Sequence, residues 1–383
     1  MAPDVPVPTP AATGLPSASD LSPVARIVYE GTVLSDLALR TGVASVLAAA
    51  MLPSLARTDR RQERARLEYF AELAAAADRD AVFHPPPDGV RVTTERSGRL
   101  PALDGGHAAT LSFRSPYRSH HPGLRDDYAA AVPNRTAWAQ HWRHDEGPRP
   151  TLCVIHGFGA SPHWFNTRFF ELGWFFAQGY DVLLYTLPFH GRRSGAVTPL
   201  DGTELFSRGF AQFNEAMLHA VHDFRVFLDH LEAEGSPRVG VTGLSLGGYT
   251  SALLAAVEPR LDFVIPNAPV TFIPQLLREW FPASAALGLA RRAGLVEGDL
   301  LSDALAVHSP LTYAPLVPKD RRMIIGGLGD RLAPPEQARL LWEHWDRPRL
   351  RWFPGSHVLH VGRGTYLREM RDLMREPAAA AAL

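Results

Sequence analysis

Cysteine is almost missing from this chain of 383 residues: Cys153 is the only one. A disulfide within the chain is therefore impossible, as is a metal site built from several thiolates. Cys153 lies in the apolar run Thr151-Leu152-Cys153-Val154-Ile155, and its expected role is that of a small buried core residue. Lysine is equally scarce, with Lys319 alone among 39 basic residues. Those 39 face 40 acidic ones, so the formal net charge is −1 and no nucleic-acid-binding footprint is visible. The first 23 residues lack a basic stretch followed by an apolar core, so they do not read as a signal peptide, and a disordered leader is expected. With no export signal, the cytoplasm is the default location. Residues 42–55 are nearly all apolar, but they are too short to span a bilayer and are bracketed by Asp36, Arg40 and Arg57. A buried helix, kinked or ended at Pro53, is expected there, and membrane association is not.

What remains is ordinary for a globular protein, at 46% hydrophobic and 21% charged, and long enough for one large α/β domain with an extension. Residues 24–146 read as a mainly helical N-terminal extension. Helical spacing is visible over 23–39, 41–51 and 59–80, where Leu67, Phe70, Leu73 and Ala76 share a face. Pro85-Pro86-Pro87 interrupts it. Short strand-like runs follow at 90–94 and 108–113, and 128–144 again reads as helix, broken near Pro133. The Ala-rich tail, 375–383, reads as a frayed, disordered end.

From residue 147 to 374 the pattern changes to apolar strands alternating with helices. Strands are expected at 152–155, 182–185, 239–242, 261–266, 323–326 and 350–353. Helices are expected at 165–178, within 204–234 and at 335–345. Strands apolar along their whole length, joined by helices, predict a parallel sheet covered on both faces. Right-handed crossovers then put every strand's C-terminal end along one edge, where ligands bind. Between the strands near 266 and 323 lies a segment too long for an ordinary loop. It carries Phe272, Leu276, Leu277, Trp280, Phe281, Leu287 and Leu289, and residues 271–320 are expected to form a helical lid over that edge.

The most informative motif is Gly243-Leu244-Ser245-Leu246-Gly247, between the strand 239–242 and a small-residue helix. A serine on such a strand–turn–helix corner can hold a strained backbone and lift its hydroxyl above the sheet edge. A free serine hydroxyl is a poor nucleophile and needs a base, and the base needs a third group to orient it. Asp330, in Gly326-Gly327-Leu328-Gly329-Asp330, follows the strand 323–326 directly and is the expected acid. Asp303 and Asp320 are weaker, because they precede that strand. His357, in Gly355-Ser356-His357, follows the last strand and is the expected base. Its rival His360 is expected to turn away on the following helix. The oxyanion would be held by the N–H of Leu246 at the start of the helix and that of Phe158 in His156-Gly157-Phe158-Gly159. His156, Gly157, His190 and Trp280 are candidate substrate contacts, and His163 is a further histidine near the pocket.

These placements resemble the α/β-hydrolase superfamily over residues 150–370. The likeness rests on the H-G-x-G loop at 156–159, the G-x-S-x-G elbow at 243–247, the acid loop at Asp330 and the terminal Gly-x-His at His357. Pro188-Phe189-His190-Gly191 adds a P-x-H-G turn found in many members. The resemblance implies the α/β-hydrolase fold and, with serine rather than aspartate as nucleophile, acyl transfer through an ester intermediate on Ser245. The resemblance names no substrate; from the serine nucleophile a small-molecule acyl ester is expected, with an apolar group suggested by the lid. Thioesters, amides and acyl transfer to another acceptor use the same parts, and a non-catalytic binding protein on this scaffold is the alternative. The long extension departs from the minimal fold, could serve oligomerisation or membrane docking, and leaves the substrate unnamed. No cofactor is expected, since neither a phosphate loop nor a dinucleotide fingerprint is present. No metal is expected either: His120-His121 and His141-x-x-His144 lack the companions of a zinc site, though the latter pair could share a helical face.

Overall fold

Among the described residues nine strands form one sheet: β1 (Thr93–Arg96), β2 (Gly106–Arg114), β3 (Thr136–His144), β4 (Thr151–Ile155), β5 (Asp181–Thr186), β6 (Val239–Leu244), β7 (Phe263–Asn267), β8 (Met323–Gly327) and β9 (Arg349–Phe353). The structure is a computed structural model and describes residues 15, 21–57, 59–96, 103–195, 200–292, 294 and 298–376. The expected leader and tail fall almost wholly outside the described residues. The strand order is β1-β2-β3-β5-β4-β6-β7-β8-β9. From β5 to β9 all neighbours are parallel, and β1, β2 and β3 are joined to one another and to β5 in antiparallel pairs.

Alternation along the strands sends side chains to two separate cores. Cys153, Ile155, Leu183, Tyr185 and Val241 meet the helices Phe210–Ala233 and Leu246–Val257 on one face. Leu152, Val154, Val182, Leu184 and Leu244 meet the helices His163–Phe169, Leu172–Ala177 and Gly364–Arg375 on the other. Burial on both faces is why these strands are apolar throughout. Cys153 is fully buried, and that burial pushes its thiol pKa up, so it is inert packing.

The helical reading of residues 128–144 is corrected. A short helix, Arg125–Ala129, and a turn at Val132–Arg135 lead into β3. The residues Thr136 to His144 have period two: Ala137 and Ala139 enter one core and Trp142 the other, and the ladder to β2 and β5 uses the backbone of both sides. His141 and His144, three apart on a strand, therefore point to opposite faces and cannot share a ligand. The extension is thus helical only in its first part. Its second part supplies three strands to the same sheet, so the sheet crosses the expected boundary at 146.

The apolar stretch 42–55 is also part of something longer. A single helix runs Pro23–Arg57, continuing past Pro53. Its residues Pro23–Leu52 are long and apolar enough to cross a membrane by length and composition. One side of it nevertheless packs on the domain: Ala25, Thr32, Asp36, Ala44, Leu47 and Met51 are buried. The helix rests on Glu204–Ser207 and on Ala283–Arg292 of the insertion. Among its described residues the insertion after β7 holds the α-helices Ile273–Glu279, Ala283–Arg292 and Gly298–Leu305, and the last packs against Arg60–Ala76 from the extension. Extension and insertion therefore cover the domain as one helical layer.

Candidate active site

Ser245 closes β6 and caps the helix Leu246–Val257 with φ 58° and ψ −112°. This is a conformation that a non-glycine residue adopts only under constraint. The constraint is the close approach of three segments. A Cβ on Gly247 would lie 2.1 Å from the Ile155 carbonyl oxygen, and one on Gly243 would lie 2.4 Å from the Gly247 carbonyl. Only glycine lets β4, β6 and the helix meet this tightly. The Ser245 N–H donates to the Asn267 carbonyl at 3.1 Å, and its own carbonyl accepts from Tyr249 and Val270. The backbone is thus pinned on both sides while the side chain stays half-buried rather than enclosed. Leu246 is the first helical residue, so its N–H has no acceptor within the helix.

Asp330 and His357 come together on the same edge, beyond β8 and β9. The His357 Nδ1–H donates to Asp330 Oδ2 at 2.7 Å. The other carboxylate oxygen of Asp330 accepts the N–H groups of Leu332 and Ala333 at 2.9 and 2.7 Å. This aspartate therefore caps its own loop and holds the imidazole at once. Burial raises the Asp330 carboxyl above its ordinary range, with His357 opposing. Burial alone would depress His357, but the carboxylates of Asp330 and Asp36 outweigh it, and the imidazole ends above 6.5.

His360 is not on the following helix but in the loop before it. Its Nε2–H donates to the His357 carbonyl at 3.2 Å, and its Nδ1 accepts from the Tyr366 hydroxyl at 2.8 Å. Its ring packs on Phe353 and Phe169, and burial pushes its pKa down to about 3. Both nitrogens are spent on structure. Asp303, in the helix Gly298–Leu305, and Asp320, in the turn Lys319–Arg321 that precedes β8, are both exposed.

The loop after β4 passes over Ser245: a Cβ on Gly157 would sit 3.4 Å from the Ser245 Cβ. Phe158 follows it, half-buried against His190 and Phe206. Two of the expected substrate contacts have other duties. The Nδ1–H of His156 donates to the Gly157 carbonyl at 2.9 Å, and its Nε2 accepts the Leu187 N–H at 3.1 Å, so it ties the β4 loop to the β5 loop. His190 is fully buried, with Nδ1 on the Pro188 carbonyl at 2.8 Å and Nε2 facing Gly202, where a Cβ would come within 2.0 Å. Both rings hold loops instead of facing open space, and burial lowers both pKa values. His163 is likewise depressed by burial, to about 4. Trp280 is half-buried at the C-terminal end of Ile273–Glu279, its indole N–H without a partner among the described residues. Among the described residues no group of three or more His, Cys, Asp or Glu side chains is placed to hold a metal ion.

One residue of this edge was not foreseen from sequence. Asp36, on the helix Pro23–Arg57, accepts the backbone N–H of His357 at 2.9 Å and that of Arg331 at 3.0 Å. The available signal was an acidic residue in a largely apolar helix, where a buried charge needs a partner.

Comparison with known proteins agrees with the fold. A family model described as alpha/beta hydrolase family matches residues 152–366. Two uncharacterized proteins of Mycobacterium tuberculosis, from strains CDC 1551 / Oshkosh and ATCC 25618 / H37Rv, are each 33% identical over 271 residues, covering 65% of this chain and 59% of theirs. The chain thus spans less than two thirds of the length of these relatives. Among solved structures, acetyl xylan esterase 1 from Thermoanaerobacterium sp. JW/SL YS485 superposes with a TM-score of 0.56 at 17% identity, covering 81% of this chain and 94% of that one. The acetyl xylan esterase from Paenibacillus sp. R4 gives 0.54 at 15% identity, covering 86% and 98%. At such identities these two share the fold, and nothing about substrate follows from them.

Proposed function

The chain belongs to the alpha/beta hydrolase family, and from that premise we propose that it is a serine hydrolase acting on a carboxylic ester. The observation that carries this reading is the bond of 2.7 Å between His357 Nδ1 and Asp330 Oδ2, made on the sheet edge where the strained Ser245 stands. With Nδ1 committed to Asp330, Nε2 is the nitrogen that takes a proton. Ser245 Oγ attacks the acyl carbon as its proton passes to His357 Nε2. The N–H groups of Leu246 and Phe158 stabilise the negative charge that develops on the carbonyl oxygen. The alcohol departs with the proton from His357, and water, activated by the same imidazole, releases the acid and regenerates Ser245. Asp330 keeps the imidazole in the productive tautomer and stabilises its charged form.

The insertion and the helix Pro23–Arg57 form the roof of the acyl site, and Trp280 belongs to its wall. Leu276, Leu277 and Leu287 of the insertion are apolar and buried, which suits an ester with an apolar acyl or alcohol group. The test is a series of p-nitrophenyl esters of rising chain length, with Ser245→Ala as control. Ser245-dependent turnover and labelling by a fluorophosphonate are expected. Equal turnover by the alanine variant, or no labelling of the unaltered chain, overturns the reading.

A further inference from the structure

Asp36 belongs to a helix whose sequence position is far from either loop it touches, yet it is 2% exposed and lies between them. A single oxygen, Oδ2, accepts one N–H from each: Arg331 at 3.0 Å in the loop after β8, and His357 at 2.9 Å in the loop after β9. Arg331 is the neighbour of Asp330 in the chain, so the two loops joined by Asp36 are those that bring Asp330 to His357 Nδ1. The rest of the same helix face holds the acid loop as well. The Arg331 guanidinium donates to the Tyr29 hydroxyl at 2.8 Å and lies over its ring. Arg40 donates to the Arg331 carbonyl at 3.5 Å. A Cβ on Gly329 would meet Thr32 Oγ1 at 2.8 Å, so glycine there lets the loop seat against the helix. Tyr29, Thr32, Asp36 and Arg40 are spaced three or four residues apart and share one side of the helix.

We propose that Asp36 is a positioning residue for the Asp330–His357 pair, fixing the two loops in register and making the N-terminal helix an integral part of the reaction site. The proposal rests on the reading of Ser245, Asp330 and His357 given above. A buried carboxylate is costly unless it is hydrogen-bonded, and its bonds to N–H groups are charge-assisted and short. Deleting it would free two N–H groups in a dry place and let the loops separate. Its charge also acts on the base. Facing His357 are Asp330 from the β8 loop, Asp36 from the N-terminal helix and His360 from its own loop. His360 is kept neutral by burial, and the Arg331 guanidinium is turned to Tyr29. The two carboxylates hold the imidazole above 6.5 against its burial.

Two variants of the full chain separate position from charge. Asp36→Asn keeps an oxygen for the two N–H groups and removes the charge, whereas Asp36→Ala removes both. In a nitrogen-15 NMR titration, the His357 pKa of D36N is expected to fall by about 1 pH unit relative to the unaltered chain. With p-nitrophenyl acetate, D36A is expected to lose about 10²-fold in kcat with KM little changed. D36N should keep most of its kcat above neutral pH, with its acid limb moved to lower pH. A purely structural role would lower the melting temperature of both variants without moving the His357 titration or splitting kcat from KM. If D36A does not fold, D36N carries the test. An unchanged His357 titration in D36N, or unaltered kcat in a folded D36A, overturns the proposal. The titration reads Asp36 with or without turnover, so an unaltered chain that hydrolyses no ester overturns only the reading of the reaction.

Discussion

Asp330 divides its two carboxylate oxygens between two tasks: Oδ2 accepts from His357 Nδ1 at 2.7 Å, and Oδ1 accepts the N–H groups of Leu332 and Ala333. The second task makes the first rigid, since a carboxylate capped by its own loop cannot rotate away. Asp330→Asn would keep the shape of the loop but can turn its amide N–H₂ toward His357, favouring the wrong imidazole tautomer. A fall in kcat of roughly 10⁴-fold on an ester substrate is expected, with the melting temperature changed far less. Steady-state kinetics beside a thermal melt checks both halves.

The direction of the His357 shift sets a pH dependence. The proposed hydrolysis needs the imidazole neutral, and its pKa is raised above 6.5. The group binds its proton more tightly than a free histidine, so activity is lost on the acid side earlier than for an unperturbed one. The plot of kcat/KM against pH should therefore fall below an apparent pKa that lies above 6.5, and that value belongs to the Asp330–His357 pair as a unit. An acid limb centred well below 6.5 would contradict this assignment of the base.

Much of this edge was legible before any coordinates. Ser245, Asp330 and His357 stand within four residues of the ends of β6, β8 and β9, and parallel strands with right-handed crossovers can only deliver them to one side. What escaped was of two kinds. The residues Thr136 to His144 were misread because Trp138, Gln140, Trp142 and the intervening residues carry few β-branched side chains, and a strand pairing on both sides shows no single polar face. Asp36 was passed over because its partners are backbone N–H groups of Arg331 and His357, and no periodicity announces a contact of that kind across the chain. His156 and His190 were placed on the correct loops, but a motif does not reveal which ring nitrogens are already occupied.

The tight corner beneath Ser245 gives a third expectation. A Cβ at position 247 would lie 2.1 Å from the Ile155 carbonyl oxygen and 2.7 Å from that of His156, both backbone atoms that cannot swing aside. Gly247→Ala must push the helix Leu246–Val257 away from β4. Overpacking of this kind costs about 1–3 kcal/mol. On the proposed mechanism the same displacement carries the Leu246 N–H away from the oxyanion, for which a loss of 10²-fold or more in kcat is expected. Urea denaturation and turnover measured on the same preparation would read the two effects, and a fully active variant would show that the elbow can relax without moving that N–H.

The last expectation concerns the joint between the extension and the hydrolase core. Arg193, after β5, and Asp223, on the helix Phe210–Ala233, are both fully buried and paired at 2.7 Å. Arg193 also donates to the carbonyls of Thr186 and Asn134, while Asp223 accepts from Ser115 at 2.5 Å and lies 2.9 Å from His219 Nε2. The network ties the β2–β3 connection to the core. Removing one charge strands the other, so Arg193→Met should cost about 3–5 kcal/mol, and Arg193→Met/Asp223→Leu should recover part of that. Acid attacks the same place. Burial would raise the Asp223 carboxyl, but His219 and Arg193 hold it well below 3.8, so its contribution is present above that value and is lost as pH falls through the folded pKa. Burial depresses His219 to about 4, and His163 likewise, with His141 and His308 depressed to about 3. Between pH 6.5 and about 4 the unfolded chain takes up protons that these buried rings refuse, so their contribution lowers stability as the pH falls through that window, against the smaller set of groups with raised pKa, Glu63, Glu215, Asp330 and His357. The melting temperature should drop steeply from pH 6.5 to 4.5, and a His219→Gln variant should lose less over that interval than the unaltered chain. A melting temperature flat across those two units would mean that these imidazoles are already charged in the folded protein.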